Sequence, residues 1–96
     1  MSSYAKRTDG NHAEIRDGLR EAGYTVVDYS GVGGGIPDLL VISKCEASVW
    51  MEAKIVGGKL TKAEWRFFDT YTGLKFVVYS LEDALEKLYQ IDKRAA

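Results

Sequence analysis

Four glycines in five residues, Gly31-Val32-Gly33-Gly34-Gly35, limit what this chain can fold into more than any other feature. Glycine loses more backbone freedom on ordering than any other residue, so no helix or strand interior would choose such a stretch. The chain must change direction there. Pro37, the single proline, follows at once, and a second break comes at Gly57-Gly58. Between the breaks, Pro37 to Ser43 and Ser48 to Ile55 are rich in apolar and β-branched residues. They read as two strands joined by a short turn around Cys45.

Outside the breaks the period changes. Ile15, Leu19 and Ala22 recur at helical spacing in a stretch from about Thr8 to Ala22, which Gly23 ends, while Glu14, Asp17 and Glu21 share another stripe. Tyr24 to Ser30 reads as a strand. Thr61 is the expected N-cap of a second helix, with Glu64 completing a capping box and Trp65, Phe68 and Tyr71 forming the buried stripe. Leu74 to Tyr79 is apolar enough to be expected as an interior strand. Ser80 caps a last helix with Glu82 and Asp83 in its first turn, Lys93 and Arg94 in its last, and Ala84, Leu85, Leu88 and Ile91 on its apolar face.

The order α-β-β-β-α-β-α predicts an α/β sandwich, a mixed sheet flanked by helices. The middle strands form an antiparallel hairpin, and a crossover through the second helix makes a parallel pair. Ninety-six residues supply one core, so residues 1–96 are expected to form a single domain, with 1–7 as a flexible N-terminus.

Several function classes drop out. No apolar run approaches the roughly 18 residues needed to cross a bilayer, and the first residues lack the apolar stretch of a secretory signal. A membrane partner is therefore not expected, and a reducing cytoplasm is. Cys45 is the one cysteine and His12 the one histidine, which removes an internal disulfide and leaves zinc sites and cysteine-protease dyads without support. Gly31-x-Gly33 is followed by Ile36 where a dinucleotide fingerprint needs a third glycine. Gly57-Gly58-Lys59 lacks the rest of a phosphate-binding loop, so no nucleotide cofactor is expected. A net charge of −1 argues against holding nucleic acid by bulk positive charge, yet Lys54, Lys59, Lys62 and Arg66 face only one acid, Glu64, in their stretch.

What remains is a group of acids and a lysine around the hairpin. Strand period two puts Glu52 and Lys54 on one face with Trp50, and Val49, Met51, Ala53 and Ile55 on the other. Asp38 joins the Glu52 face only if paired residue numbers sum to an even value, which a three- or five-residue loop gives. A sum of 90 sets it opposite Glu52; a sum of 92, opposite Lys54. Glu-x-Lys on a strand is most often a solvated face. Two carboxylates that converge, however, raise one pKa unless a cation sits between them. Magnesium commonly takes one or two carboxylates and keeps its other positions for water and phosphate. A lysine beside it suits metal-assisted hydrolysis of a phosphodiester.

In sequence, Ile36-Pro37-Asp38-Leu39-Leu40-Val41 followed by Trp50-Met51-Glu52-Ala53-Lys54 resembles the PD-(D/E)xK nuclease signature. The specific likeness is to the virus-type replication-repair nuclease (VRR-NUC) domain, in its stand-alone form typical of bacteriophages. Asn11-His12-Ala13-Glu14, the glycine-rich approach to Pro37-Asp38, and Gly58-Lys59-Leu60-Thr61 extend it over about residues 10–90.

The resemblance implies an αβββαβ restriction-endonuclease-like core with an extra C-terminal helix. It implies that Asp38 and Glu52 bind Mg²⁺, with Mn²⁺ able to substitute, that the Ala53 carbonyl is a further ligand, and that Glu14 reaches the metal directly or through water. Lys54 would position or activate the attacking water, leaving 5′-phosphate and 3′-hydroxyl ends. Lys59, Lys62, Arg66, Gly33 and Gly34 are the expected DNA contacts. The implied activity is a homodimeric, structure-selective DNA endonuclease that resolves four-way (Holliday) junctions, in a bacterial host cell if phage-encoded. Cleavage of flaps, nicks or a short sequence, and branched-DNA binding without turnover, are the alternatives. One departure is Glu64, where many relatives carry glutamine.

Overall fold

The computed structural model describes residues 10–95, so the expected flexible segment 1–7 and the helix start at Thr8 lie outside the described residues. The fold is α/β: a mixed four-stranded sheet with three helices, compatible with a restriction-endonuclease-like core plus a C-terminal helix. In chain order the elements are α1 (His12–Glu21), β1 (Thr25–Asp28), β2 (Leu39–Ile42), β3 (Ser48–Ala53), α2 (Lys62–Thr70), β4 (Leu74–Val78) and α3 (Leu81–Ala95). The sheet order is β1-β2-β3-β4, with β1–β2 and β2–β3 antiparallel and β3–β4 parallel across α2.

Local chemistry sets the element ends. Gly23, at φ 98°, takes the left-handed conformation that ends α1, and the Tyr24 amide turns back to the Leu19 carbonyl. Asn11 makes no side-chain cap. Its amide instead donates to the carbonyls of Lys54 and Tyr79, tying the start of α1 to the ends of β3 and β4. β1 stops sooner than the β-branched run suggests because the Asp28 carboxylate accepts the Ser30 amide and turns the chain. That carboxylate also receives Arg16 at 2.8 Å and lies 3.3 Å from Nε2 of His12, which is buried beneath α1 rather than at the surface. Burial pushes Asp28 up, but its bonds to Ser30 and Arg16 outweigh this and hold it well below the usual carboxylate range.

The core lies on one face of the sheet. Val26, Val41 and Val49 align across the first three strands, as do Leu39 and Met51 across the hairpin. α1 and α3 cover them with Ile15, Leu19, Ala84 and Leu88, all fully buried. Each such side chain contributes about 1.5–3 kcal/mol, apart from the smaller alanine.

β4 corrects an expectation. It is an edge strand, not an interior one, with Leu74 exposed. Its apolar character serves its two faces instead: Phe76 and Val78 pack toward the core, and Val77 faces the α2 side.

α2 covers the other face lightly and buries no residue fully. Its capping box is present, with the Thr61 amide donating to Glu64 at 2.8 Å and the Glu64 amide donating to the Thr61 hydroxyl at 3.2 Å. The expected Trp65–Phe68–Tyr71 stripe is only partly right, because Trp65 is exposed. Phe67 does the packing, with ring centroids 5.7 Å from Trp50 and 5.2 Å from Tyr71, while Trp50 also meets Tyr29 at 5.3 Å.

The glycine run reaches this helix. Gly35 has φ 85°, and a Cβ there would fall on the backbone carbonyl of Ala63, well inside van der Waals contact. Backbone cannot yield as a flexible side chain does. Gly35→Ala is therefore expected to cost about 3 kcal/mol or more, read as a fall in melting temperature. Gly34, at φ 69° with open space around it, should cost only about 1 kcal/mol on the same change. Equal losses at the two positions would mean that the contact with α2 is not what requires glycine.

Candidate active site

The β2–β3 hairpin settles the parity question. Ile42 pairs with Ser48 across a five-residue connection, Ser43 to Ala47, and paired numbers sum to 90. Asp92 of α3 holds this turn by accepting the amides of Lys44 and Cys45. Continuing the register one step past Leu39–Met51 sets Asp38 opposite Glu52, on the face that α2 covers. Asp38 is 6% exposed; its Oδ2 accepts the Ala53 amide at 3.1 Å, and its carbonyl accepts the Tyr29 amide at 2.7 Å. Pro37, buried behind it, has no amide to donate and so sits where the sheet is not paired.

Glu52 and Lys54 follow on β3 and just past its end. Glu52 is 3% exposed, and its Oε1 is buried with no hydrogen-bond partner among the described residues. Its Oε2 lies 3.7 Å from Nζ of Lys54. Lys54 is 9% exposed and reaches Oε1 of Glu64 at 3.1 Å, closer than its approach to Glu52. The lysine at the strand end is thus a buried ion-pair partner, not the solvated side chain that Glu-x-Lys on a strand usually is. Glu64, read in the sequence as the helix cap and as a departure from the glutamine of many relatives, is the member whose contact with Lys54 was not foreseen. The signal that could have found it was its position three residues after Thr61, which turns its carboxylate back toward the strand ends.

The electrostatics follow from this packing. Burial first, then the neighbouring Asp38 and Glu64 carboxylates, push Glu52 up to about 9, against the opposing effect of Lys54. Burial also pushes Glu64 up, but the Thr61 amide and the Lys54 ammonium prevail and hold it below its ordinary value. Without a further cation, a proton sits on Glu52 at neutral pH.

The residues present fit a hard divalent cation. The donors are two carboxylates, and one buried carboxylate oxygen lacks a partner. Among the described residues no three His, Cys, Asp or Glu side chains gather as ligands. Two carboxylates suit magnesium, which leaves positions for water and phosphate, better than they suit zinc. Glu14 is the expected ligand that the structure does not bring in: it is exposed on α1, and no hydrogen bond or ion pair joins it to the cluster. Helical spacing turns His12 and Ile15 inward and leaves Glu14 between them, facing solvent.

The expected DNA contacts lie around the cluster rather than in it. Lys59, Lys62 and Arg66 are exposed and have no ion pair among the described residues. Gly33 and Gly34 have positive φ and open space where a side chain would stand. A cleft of about 420 Å³ opens beside Lys54, lined also by Gly58, Lys59, Leu60, Trp65, Val77 and Tyr79. No described helix is long and apolar enough to cross a membrane. Comparisons with protein families, with curated proteins and with solved structures each found no match.

Proposed function

We propose that this chain is a divalent-cation-dependent DNA endonuclease of the PD-(D/E)xK type, a stand-alone VRR-NUC-like nuclease that resolves four-way junctions as a homodimer. The observation that carries the reading is the meeting of Asp38, Glu52 and Lys54 on one buried sheet face. A merely solvated strand face would not bury two carboxyl groups and an ammonium, and Glu52 is left with a raised affinity for a proton or another cation.

In the proposed mechanism Asp38 and Glu52 would hold Mg²⁺, with the Ala53 carbonyl as a further ligand. The cation, when bound, polarises the phosphate and acidifies water. The chain's own residues do the rest. Glu64 fixes the Lys54 ammonium in place, and Lys54 donates to the attacking water or to a phosphate oxygen as charge develops on it. Lys59, Lys62 and Arg66 draw in the backbone without reading bases. A two-fold dimer would offer two related sites to a substrate with its own approximate two-fold symmetry.

The test is cleavage of a labelled four-way junction and of a matched linear duplex, with Mg²⁺ and with chelator. Paired, Mg²⁺-dependent cuts near the branch point are expected. Equal cutting of both substrates would remove the junction preference and leave the nuclease. Tight junction binding without any cutting would replace the enzyme by a binding module.

A further inference from the structure

The chain has two tryptophans, and it treats them oppositely. Trp50 is held between Tyr29 and Phe67 against the sheet. Trp65, one helical turn past the α2 cap, is 61% exposed and has no ring partner among the described residues. An indole left in water forgoes the burial that makes aromatic side chains useful in a core. It stands on the wall of the cleft beside Lys54, with Tyr79, Val77 and Leu60 supplying the rest of the apolar lining. Lys59 lies on the same rim, and neither Lys59 nor Arg66, next to Trp65 in sequence, is paired with an acid among the described residues.

A flat apolar wall next to unneutralised cations matches one ligand chemistry closely, a planar base joined to a phosphate. Aromatic stacking takes any base, and the cations follow the backbone. A purely apolar partner would leave Lys59 without a counter-charge. A base within a continuous duplex is already stacked on both sides and cannot reach the wall. We propose that this cleft holds an unpaired nucleobase, stacked on Trp65, from a DNA strand whose backbone passes Lys54, with Lys59 on the adjoining phosphate. The proposal rests on the nuclease reading above and narrows its substrate class to DNA with an unstacked nucleotide beside the cut, as at a branch or a strand end.

The experiment compares binding of a fluorescein-labelled oligothymidylate and of a hairpin duplex, by anisotropy in buffer with Ca²⁺ in place of Mg²⁺. Trp65→Ala should weaken oligothymidylate binding roughly tenfold while changing duplex binding less than about twofold. Trp65→Phe should retain most of the affinity, and wild-type tryptophan emission should be quenched by the oligonucleotide. Lys59→Ala should weaken both ligands and flatten the salt dependence. Because Trp65 is exposed, its loss should leave the melting curve in place, which keeps a binding defect distinct from misfolding.

Unchanged oligothymidylate binding by Trp65→Ala, or an equal loss on duplex, overturns the proposal. So does wild-type self-association that the substitution abolishes, since the wall would then belong to a second copy of the chain. If wild type cuts DNA with Mg²⁺ and Trp65→Ala binds normally, the stacking proposal fails and the nuclease reading stands. If wild type neither cuts nor binds any DNA, both fail.

Discussion

Lys54→Met should abolish Mg²⁺-dependent cleavage, a loss of about 10³-fold or more, and should also lower the melting temperature. The rate effect follows from the role proposed for Lys54, since a single well-placed donor to a reacting phosphate is commonly worth about 10²–10³. The stability effect follows from burial. Nζ of Lys54 lies 3.1 Å from Glu64 and 3.7 Å from Glu52, and a methionine fills the space of its stem without the charge. Glu64 then keeps the Thr61 amide but loses the ammonium that balances its charge. Removing one partner of a buried pair strands the other, so a cost of about 2 kcal/mol is expected, roughly 10 °C in a domain of this size. Circular dichroism melting and the junction assay check the two parts separately. Normal turnover would remove Lys54 from the mechanism. An unchanged melting temperature would mean the ammonium is solvated and the ion pair contributes nothing.

That stability cost shows where sequence reading stopped. The elements were legible because each carries a local signal: the glycines that stop chain segments, the capping box at Thr61 and Glu64, and the period-two faces of β3. The site face was legible for the same reason, since strand alternation puts Glu52 and Lys54 together without any knowledge of what covers them. What covers them was not legible. A lysine just past a strand looks exposed until α2 folds back over it, and Glu64 looks like a helix cap until the second neighbour of its Oε1, Lys54, is known. Glu14 is a different case. Its place in Asn11-His12-Ala13-Glu14 suggested a ligand, and which way it faces could not be read from that stretch, because the turn of α1 depends on which residues the sheet buries: His12 and Ile15 go inward and Glu14 stays exposed. β4 misled because apolarity reports how many faces of a strand are covered. It says nothing of how many edges are paired.

Glu52→Gln should stabilise the protein in chelator and abolish most of its stabilisation by Mg²⁺. In the metal-free fold Glu52 is pushed up to about 9, whereas in the unfolded chain it titrates near its ordinary 4.5. Between those values the folded state holds a proton that the unfolded state has released, so this group's effect is that stability falls as pH rises from about 4.5 toward 9. Glutamine carries no such proton. The variant should therefore match wild type near pH 5 and exceed it increasingly up to about pH 9. Its amide also keeps the shape of the protonated carboxyl, so packing is little disturbed. Mg²⁺ should act in the opposite direction. A cation held between Asp38 and Glu52 would replace the proton, and at a hundred times its dissociation constant it would stabilise wild type by about 2.7 kcal/mol. The variant, with one carboxylate left, should gain little. Thermal melts across pH, with chelator and with Mg²⁺, read both effects in the absence of DNA. A variant less stable than wild type in chelator at pH 8 would mean that Glu52 is a paired structural acid. An undiminished Mg²⁺ gain would place the cation elsewhere.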